Sequence, residues 1–199
     1  MRISLLIAFV AFCCTLVTSA PDEEPKRPST GALGLSNGLT WGDWGPKEFC
    51  PDGSFVHAFD TKYETFSSSD ETGLNAVKLF CSTPGHHDTG YITSVLGEYG
   101  EWQGMRVCEE GFVTGMRGQV VPEQGVFTDD LAVVNLELDC NYGNGTLVGV
   151  ENPSELGVWS AKVNCEAGSA VCGLEVRYEK PNVGDDSGVT DLVLFCCAV

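Results

Sequence analysis

Basic residues are scarce. The 199-residue chain carries 11 Lys and Arg against 28 Asp and Glu, a formal charge of −17. That balance excludes nucleic acid and anionic membranes as partners and fits a soluble protein, or one that meets cations or basic partners. Histidine is scarcer, at 3 residues. Two of them lie in His86-His87-Asp88, which reads as a solvated loop, because adjacent imidazoles converge poorly on one ion and no third partner is evident. No two cysteines stand at C-x2-C spacing, so a zinc site is excluded, and no metal or cofactor is expected. A nucleophile elbow, a phosphate-cradling loop and a Cys/His nucleophile pair are all missing, which points away from an enzyme. Helical periodicity is missing too. Beyond residue 20 no segment keeps a 3.6-residue period for two turns without Gly or Pro.

One long apolar run is present, Leu5 to Val17, preceded by Arg2 and followed by the small residues Thr18-Ser19-Ala20. Residues 1–20 therefore read as a secretory signal peptide, too short for a spanning helix. Its removal takes away one positive charge, so the mature charge is −17 − 1 = −18. Residues 21–37 are rich in Pro, Gly, Ser and charge and read as a flexible N-terminal arm. Residues 38–199 have the length of a single domain. The expected location is extracellular, where cysteines oxidise.

Within 38–199 a stretch recurs three times: WGPKEFCPDG from Trp44, WQGMRVCEEG from Trp102 and WSAKVNCEAG from Trp159. Each is W-x5-C-x2-G with Gly two residues before the Trp, at spacings of 58 and 57 residues. Each copy also has an acidic pair eleven residues before a Cys: Asp70-Glu71 before Cys81, Asp129-Asp130 before Cys140 and Asp185-Asp186 before Cys196. A fixed period of this length marks stacked supersecondary units, here about 38–85, 91–143 and 144–199. Equivalent positions suggest bridges Cys50–Cys81, Cys108–Cys140 and Cys165–Cys196, leaving Cys172 for Cys197. Because Cys196 and Cys197 are adjacent, Cys165–Cys197 with Cys172–Cys196 stays open.

The units are β. Phe59, Thr61 and Tyr63 alternate with Ala58, Asp60 and Lys62; Leu136, Leu138 and Cys140 alternate with Glu137 and Asp139; Leu192, Leu194 and Cys196 alternate with Val193 and Phe195. Further strands are expected at Val113–Val121, Leu74–Cys81, Tyr91–Leu96, Leu147–Val150 and Leu174–Tyr178, with loops at Ser67–Asp70 and Ser82–Gly90. Three equivalent sheets can hide their apolar faces only against one another. The expected closure is a three-walled β-prism about a pseudo-threefold axis, with a three-bladed propeller and a β-trefoil as alternatives.

At this point GDWG (42–45), AFDTKYE (58–64) and DETGLNAVKLFC (70–81), echoed by CGLEVRYE (172–179) and DDSGVTDLVLFCC (185–197), resemble the vitelline membrane outer layer protein family. The resemblance covers 38–199 and implies a prism of three four-stranded Greek-key sheets with four disulfides, in a protein of egg coats and other secretions. It implies a structural or glycan-binding role in an extracellular coat or fluid, with oligosaccharides or extracellular-matrix glycoproteins as partners. The alternative is a transglycosylase-like enzyme acting on N-acetylchito-oligosaccharides. Two departures stand out. The chain is more acidic than an egg-coat protein is expected to be, and in copy two Leu131-Ala132 replaces the Thr-Gly or Ser-Gly after the acidic pair, with Val134 at the place of Asn75 and Thr190.

Candidate ligand-binding residues are the acidic pairs Asp70, Glu71, Asp129, Asp130, Asp185 and Asp186, which at one end of a prism would meet a cation or sugar hydroxyls. A turn-capping role explains their recurrence better, since Asp accepts backbone N–H groups before a strand in every copy, whereas a catalytic pair needs only one asymmetric site. Trp44, Trp102 and Trp159, each beside a repeated Cys, read as core, and the unmatched Trp41 as the exposed aromatic and a further candidate for ligand binding. Asn144-Gly145-Thr146 is an N-glycosylation acceptor; Asn152-Pro153-Ser154 is not, because Pro blocks it.

Overall fold

A computed structural model describes residues 27–65, 72–123, 131–142, 145–151, 153, 155–180 and 187–199. Chain order gives β1 (Gly31–Gly34), β2 (Asp43–Trp44) and β3 (Glu48–Phe49), then a hairpin of β4 (Phe55–Tyr63) and β5 (Leu74–Ser82). After it come β6 (Asp88–Ile92), β7 (Glu101–Trp102) and β8 (Arg106–Val107). The second hairpin, β9 (Val113–Val120) and β10 (Val133–Cys140), is followed by β11 (Thr146–Val148), β12 (Val158–Trp159) and β13 (Val163–Asn164). The third is β14 (Ser169–Glu179) with β15 (Gly188–Ala198). No helix occurs among the described residues.

The strands form three antiparallel sheets, ordered β6-β5-β4-β7, β11-β10-β9-β12 and β1-β15-β14-β2, with β8, β13 and β3 continuing the last strand of each. Each sheet is thus four-stranded with its outer strand in two pieces. Three successive strands and a fourth returning beside the first make a Greek key. The fold is the expected β-prism.

Each hairpin's outer strands come from the chain that follows it. The third hairpin is the exception and takes its outer strands from the N-terminal segment: β1 pairs with β15, and β2 and β3 with β14. Residues 31–34, expected in the flexible arm, are therefore part of the third wall. Arg27 also docks, donating from Nη1 to the carbonyls of Cys50, Pro51 and Ser54 and lying 4.9 Å over the Phe55 ring. The arm fails as an expectation here because polar composition says nothing about backbone groups, and an edge strand needs only those. Residues 1–26, with the expected signal peptide, lie outside the described residues.

The faces follow the alternation. Phe59, Val77, Leu79, Met116, Leu136, Leu138, Leu174, Val176, Leu192 and Leu194 point inward from all three walls and form one core. Thr61 joins them by donating to the Gly149 carbonyl at 3.0 Å. Equivalent register shifts put one extra residue on the second strand of each hairpin, at Asn75, Val134 and Thr190, and another on the first, at His57, Thr114 and Cys172. Such bulges bend and twist a strand, as corners of a prism require. They also bind neighbouring segments: the N–H groups of Cys108, Cys165 and Cys50 donate to the carbonyls of His57, Thr114 and Cys172 at 2.7–2.8 Å. Gly42, Gly100 and Gly157 explain the Gly before each Trp, since a Cβ on any of them would lie within 3.0 Å of backbone in the adjoining strand.

The bridges are Cys50–Cys81, Cys108–Cys140, Cys165–Cys196 and Cys172–Cys197. The first three tie neighbouring walls rather than one wall to itself. Cys50 follows β3 in the third wall and Cys81 lies on β5 in the first; Cys108 and Cys140, and Cys165 and Cys196, repeat the step. Only Cys172–Cys197 lies within a wall, between β14 and β15. Several strand boundaries differ from expectation; β14, for one, starts at Ser169 rather than Leu174. β6 begins at Asp88 and stops at Ile92, because Ser94 takes a left-handed φ of 59°. β11 is shorter than Leu147–Val150, ending at Val148.

Candidate functional site

Trp44, Trp102 and Trp159 lie on the outer faces, not in the core. Trp44 is 39% exposed and the other two are half-buried. One ring face of each is covered by a cation: Arg177 over Trp44 at 5.2 Å, Lys78 over Trp102 at 3.9 Å and Arg117 over Trp159 at 4.6 Å. A place beside a repeated Cys does not entail burial, because an indole covered by a long cationic side chain satisfies its apolar face at the surface. These rings are thereby poor stacking platforms. Trp41, expected to be the exposed aromatic, is half-buried, and its backbone carbonyl accepts from Thr190 Oγ1 at 2.7 Å.

The outer face of the second wall is charge-compensated. Arg117 grips Glu137 through Nε at 2.6 Å and Nη2 at 3.1 Å, which raises the Arg117 pKa. Asp139 accepts from Lys162 Nζ and Thr146 Oγ1, both at 2.7–2.8 Å. Burial pushes its pKa up, but those hydrogen bonds and the charges of Lys162 and Arg117 outweigh burial and hold it below the usual value. In the third wall Lys47 meets Glu175 at 3.6 Å, and burial raises the Asp191 carboxyl despite the Leu192 N–H and Arg177.

The histidine loop gains a partner that the sequence does not reveal. His57, the extra residue of the β4 bulge, brings Nε2 to 3.4 Å from Asp88 Oδ1. Burial lowers the His57 pKa, Asp88 opposes this, and His86 adds to it. Even so, no group of three or more His, Cys, Asp or Glu among the described residues is placed to hold a metal ion.

The turns after the first Cys of each copy differ in one copy. In copies one and three the residue after the motif Gly closes the turn: Ser54 N donates to Pro51 O at 2.9 Å and Ser169 N to Glu166 O at 3.0 Å. In copy two Phe112 N donates to Asn141 Oδ1 at 2.8 Å, and Asn141 N returns a bond to Phe112 O at 2.9 Å. This clamp brings the loop after β10 against Gly111. A Cβ there would lie 2.0 Å from Asn141 Oδ1 and 2.5 Å from Tyr142 Cδ2, whereas a Cβ on Gly53 or Gly168 would meet nothing within 4 Å. Tyr142 is held at its base and left 61% exposed.

Two clefts meet at this tyrosine. One, of about 460 Å³, is lined by His86, Glu110, Phe112, Asn141, Tyr142 and the C-terminal Val199 among others. The other, of about 450 Å³, has Glu109, Glu110, Tyr142, Thr146 and Leu147 in its lining, beside the Cys108–Cys140 bridge. His86 holds a left-handed φ of 60°, a costly conformation for a non-Gly residue. An exposed aromatic ring flanked by amide, hydroxyl and carboxylate groups is suited to an amphipathic ligand with an apolar face and hydrogen-bonding edges, such as a saccharide.

Asp70, Glu71, Asp129, Asp130, Asp185, Asp186 and the acceptor Asn144 lie outside the described residues. The residues that follow the acidic pairs do converge: a Cβ on Gly73 would crowd the carbonyls of Leu131 and Val133, and one on Gly188 those of Thr72 and Leu74. There Thr72 Oγ1 donates to Glu64 at 2.8 Å and Ser187 Oγ to Glu179 at 2.9 Å, while copy two substitutes an apolar contact of Val121, Leu131 and Val134. Tyr142 and Asn141 were not singled out from the sequence, and Gly111 was marked only as the closing Gly of the repeat. The available signal was an aromatic residue just past the last Cys of copy two, in a loop the other copies do not match.

A family model described as Vitelline membrane outer layer protein I matches residues 32–199. A mouse protein named Vitelline membrane outer layer protein 1 homolog is 33% identical over 187 residues, covering 88% of this chain and 86% of its own. The human protein of the same name is 28% identical over 197 residues, covering 97% and 93%. Among solved structures, a mannose-specific jacalin-related lectin from Morus nigra in complex with mannose superposes with a TM-score of 0.54 at 11% identity, covering 86% of this chain and 96% of the lectin. At that identity the likeness is one of fold.

Proposed function

We propose that this chain, which belongs to the vitelline membrane outer layer protein I family, is a secreted carbohydrate-binding protein of an extracellular coat or fluid. The observation that carries the reading is the exposed Tyr142 set between two clefts by the Phe112–Asn141 clamp, for which Gly111 leaves room. Sugar rings present C–H groups on one face and hydroxyls at the edge, so an aromatic side chain with nearby polar groups is their natural receptor. The lectin likeness adds that a prism of this kind serves mannose binding in another protein. Four disulfides support an oxidising compartment, and residues 1–20 supply the leader that would take the chain there. In that compartment Asn144 carries an N-linked glycan, and the partners are oligosaccharides, free or on matrix glycoproteins.

Full-length protein secreted from eukaryotic cells should begin at Pro21 and lose mass at the residue 144 peptide on deglycosylation. On a glycan array it should bind a subset of glycans, mannose-containing ones among the first to examine, and Tyr142→Ala should abolish that binding without lowering Tm by more than about 2 °C, since surface changes cost little. Array binding that survives Tyr142→Ala would move the site elsewhere, and an empty array would refute the reading.

A further inference from the structure

We infer that the clefts on either side of Tyr142 are adjoining subsites of one groove, which takes a linear neutral or basic oligosaccharide of two or more rings and rejects acidic sugars. This rests on the carbohydrate-binding reading above and adds length and charge to it. The length comes from geometry. Each cleft falls within the range of small-ligand sites, and the two share Tyr142 and Glu110, so they meet at one ridge. A single ring occupies one side of that ridge. A second ring, linked across it, reaches Thr146 and Leu147 on one side while the first keeps Asn141 on the other. Asn141 Oδ1 is committed to Phe112 N, but its Nδ2 makes no hydrogen bond among the described residues and is available to a hydroxyl.

Charge sets the class. Glu109 and Glu110 line the groove, and among the described residues neither cleft is lined by Lys or Arg. Neither glutamate forms an ion pair among the described residues. A uronate or sialic acid carboxylate entering here meets like charge at close range, inside a molecule whose net charge is −17. Repulsion of that kind lowers affinity by roughly tenfold at low ionic strength. A glucosamine ammonium meets no such repulsion.

Calorimetric titration of the secreted full-length protein with mannose, glucosamine and galacturonic acid, each as one-, two- and three-ring oligomers, tests both parts. The expected result is that mannose or glucosamine oligomers gain roughly tenfold or more in affinity from one ring to two or three, while the galacturonic series binds at least roughly tenfold more weakly than either. Tyr142→Ala should remove the gain with length. Glu110→Gln should raise the affinity of the galacturonic series alone. Equal affinity for one and three rings overturns the shared groove, and galacturonic oligomers binding as tightly as the others overturn the charge selection, with carbohydrate binding intact in both cases. Failure of all three series overturns the inference and counts against the underlying reading, which the array then decides separately.

Discussion

Placing alanine at the motif glycine of each copy perturbs the same turn three times and should give unequal results. Gly53, Gly111 and Gly168 have φ of 75°, 77° and 82°, so a Cβ costs a left-handed alanine at every one of them, about 1–2 kcal/mol. At Gly53 and Gly168 nothing lies within 4 Å of the added atom, and the cost should end there. At Gly111 the new Cβ would sit 2.0 Å from Asn141 Oδ1 and 2.5 Å from Tyr142 Cδ2, so the clamp must open. Losing the Phe112 N to Asn141 Oδ1 bond then strands a backbone donor, which costs about 1–3 kcal/mol more. The expected losses are about 1–2 kcal/mol for Gly53→Ala and Gly168→Ala and about 2–5 kcal/mol for Gly111→Ala. Urea unfolding followed by circular dichroism measures all three against wild type. Binding adds a second axis, because Gly111→Ala should lose saccharide affinity while the other two keep it. If all three variants unfold at the same urea concentration, Gly111 does not make room for the clamp, and the structural case for Tyr142 fails with it.

Other perturbations test the fold. Phe59→Ala empties a fully buried position where the walls meet and should cost about 3–5 kcal/mol by urea unfolding. Replacing Cys172 and Cys197 together by Ser opens a bridge of sequence separation 25 and should cost roughly 3–4 kcal/mol, with the three remaining bridges still detected by peptide mapping. His57 has its folded-state pKa lowered by burial, so the unfolded chain takes up the proton first as pH falls. Its contribution to stability is therefore full above about pH 6.5 and is lost as pH drops from there through the folded-state value. Thermal unfolding from pH 7.5 to 5 should show a decline that His57→Gln flattens; an unchanged slope would show that His57 is as free to protonate when folded as when unfolded.

Much of the wall structure is legible in the sequence, because a pleated strand sends alternate residues to opposite faces. Leu136 and Leu138 against Glu137 and Asp139 fix one face by inspection, and the structure buries the leucines and leaves the two acids to Arg117 and Lys162. Cysteine equivalence likewise gives Cys50–Cys81 and Cys108–Cys140, while the choice between Cys196 and Cys197 as partner of Cys165 comes from the structure. What periodicity does not encode is which sheet a strand joins. The segment from Trp44 to Cys50 belongs by repeat to the first hairpin and by disulfide to Cys81, yet its backbone bonds go to β14. Backbone pairing is blind to side chains, so a bridge between two cysteines of one copy joins two walls. The same blindness hides β1 in a polar stretch.

The site is less legible for a different reason. Repeats draw attention to what recurs, and what recurs is what every wall needs. The Trp–cation pairs, the glycines before each Trp and the bulges at Asn75, Val134 and Thr190 have threefold counterparts, and packing accounts for all of them. A ligand needs one receptor, and a receptor built on a symmetric frame must break the symmetry somewhere. Copy two breaks it twice. At one end Ala132 is forced to a φ of 31° where its counterparts Gly73 and Gly188 have 62° and 68°, and an apolar contact replaces the hydroxyl-to-glutamate bonds. At the other the turn gives up its own hydrogen bond to hold Asn141. The first departure is buried: Leu131, Ala132 and Val134 are at most 5% exposed, so it answers to packing. The second leaves a tyrosine standing in solvent between two clefts, an arrangement that packing alone does not call for.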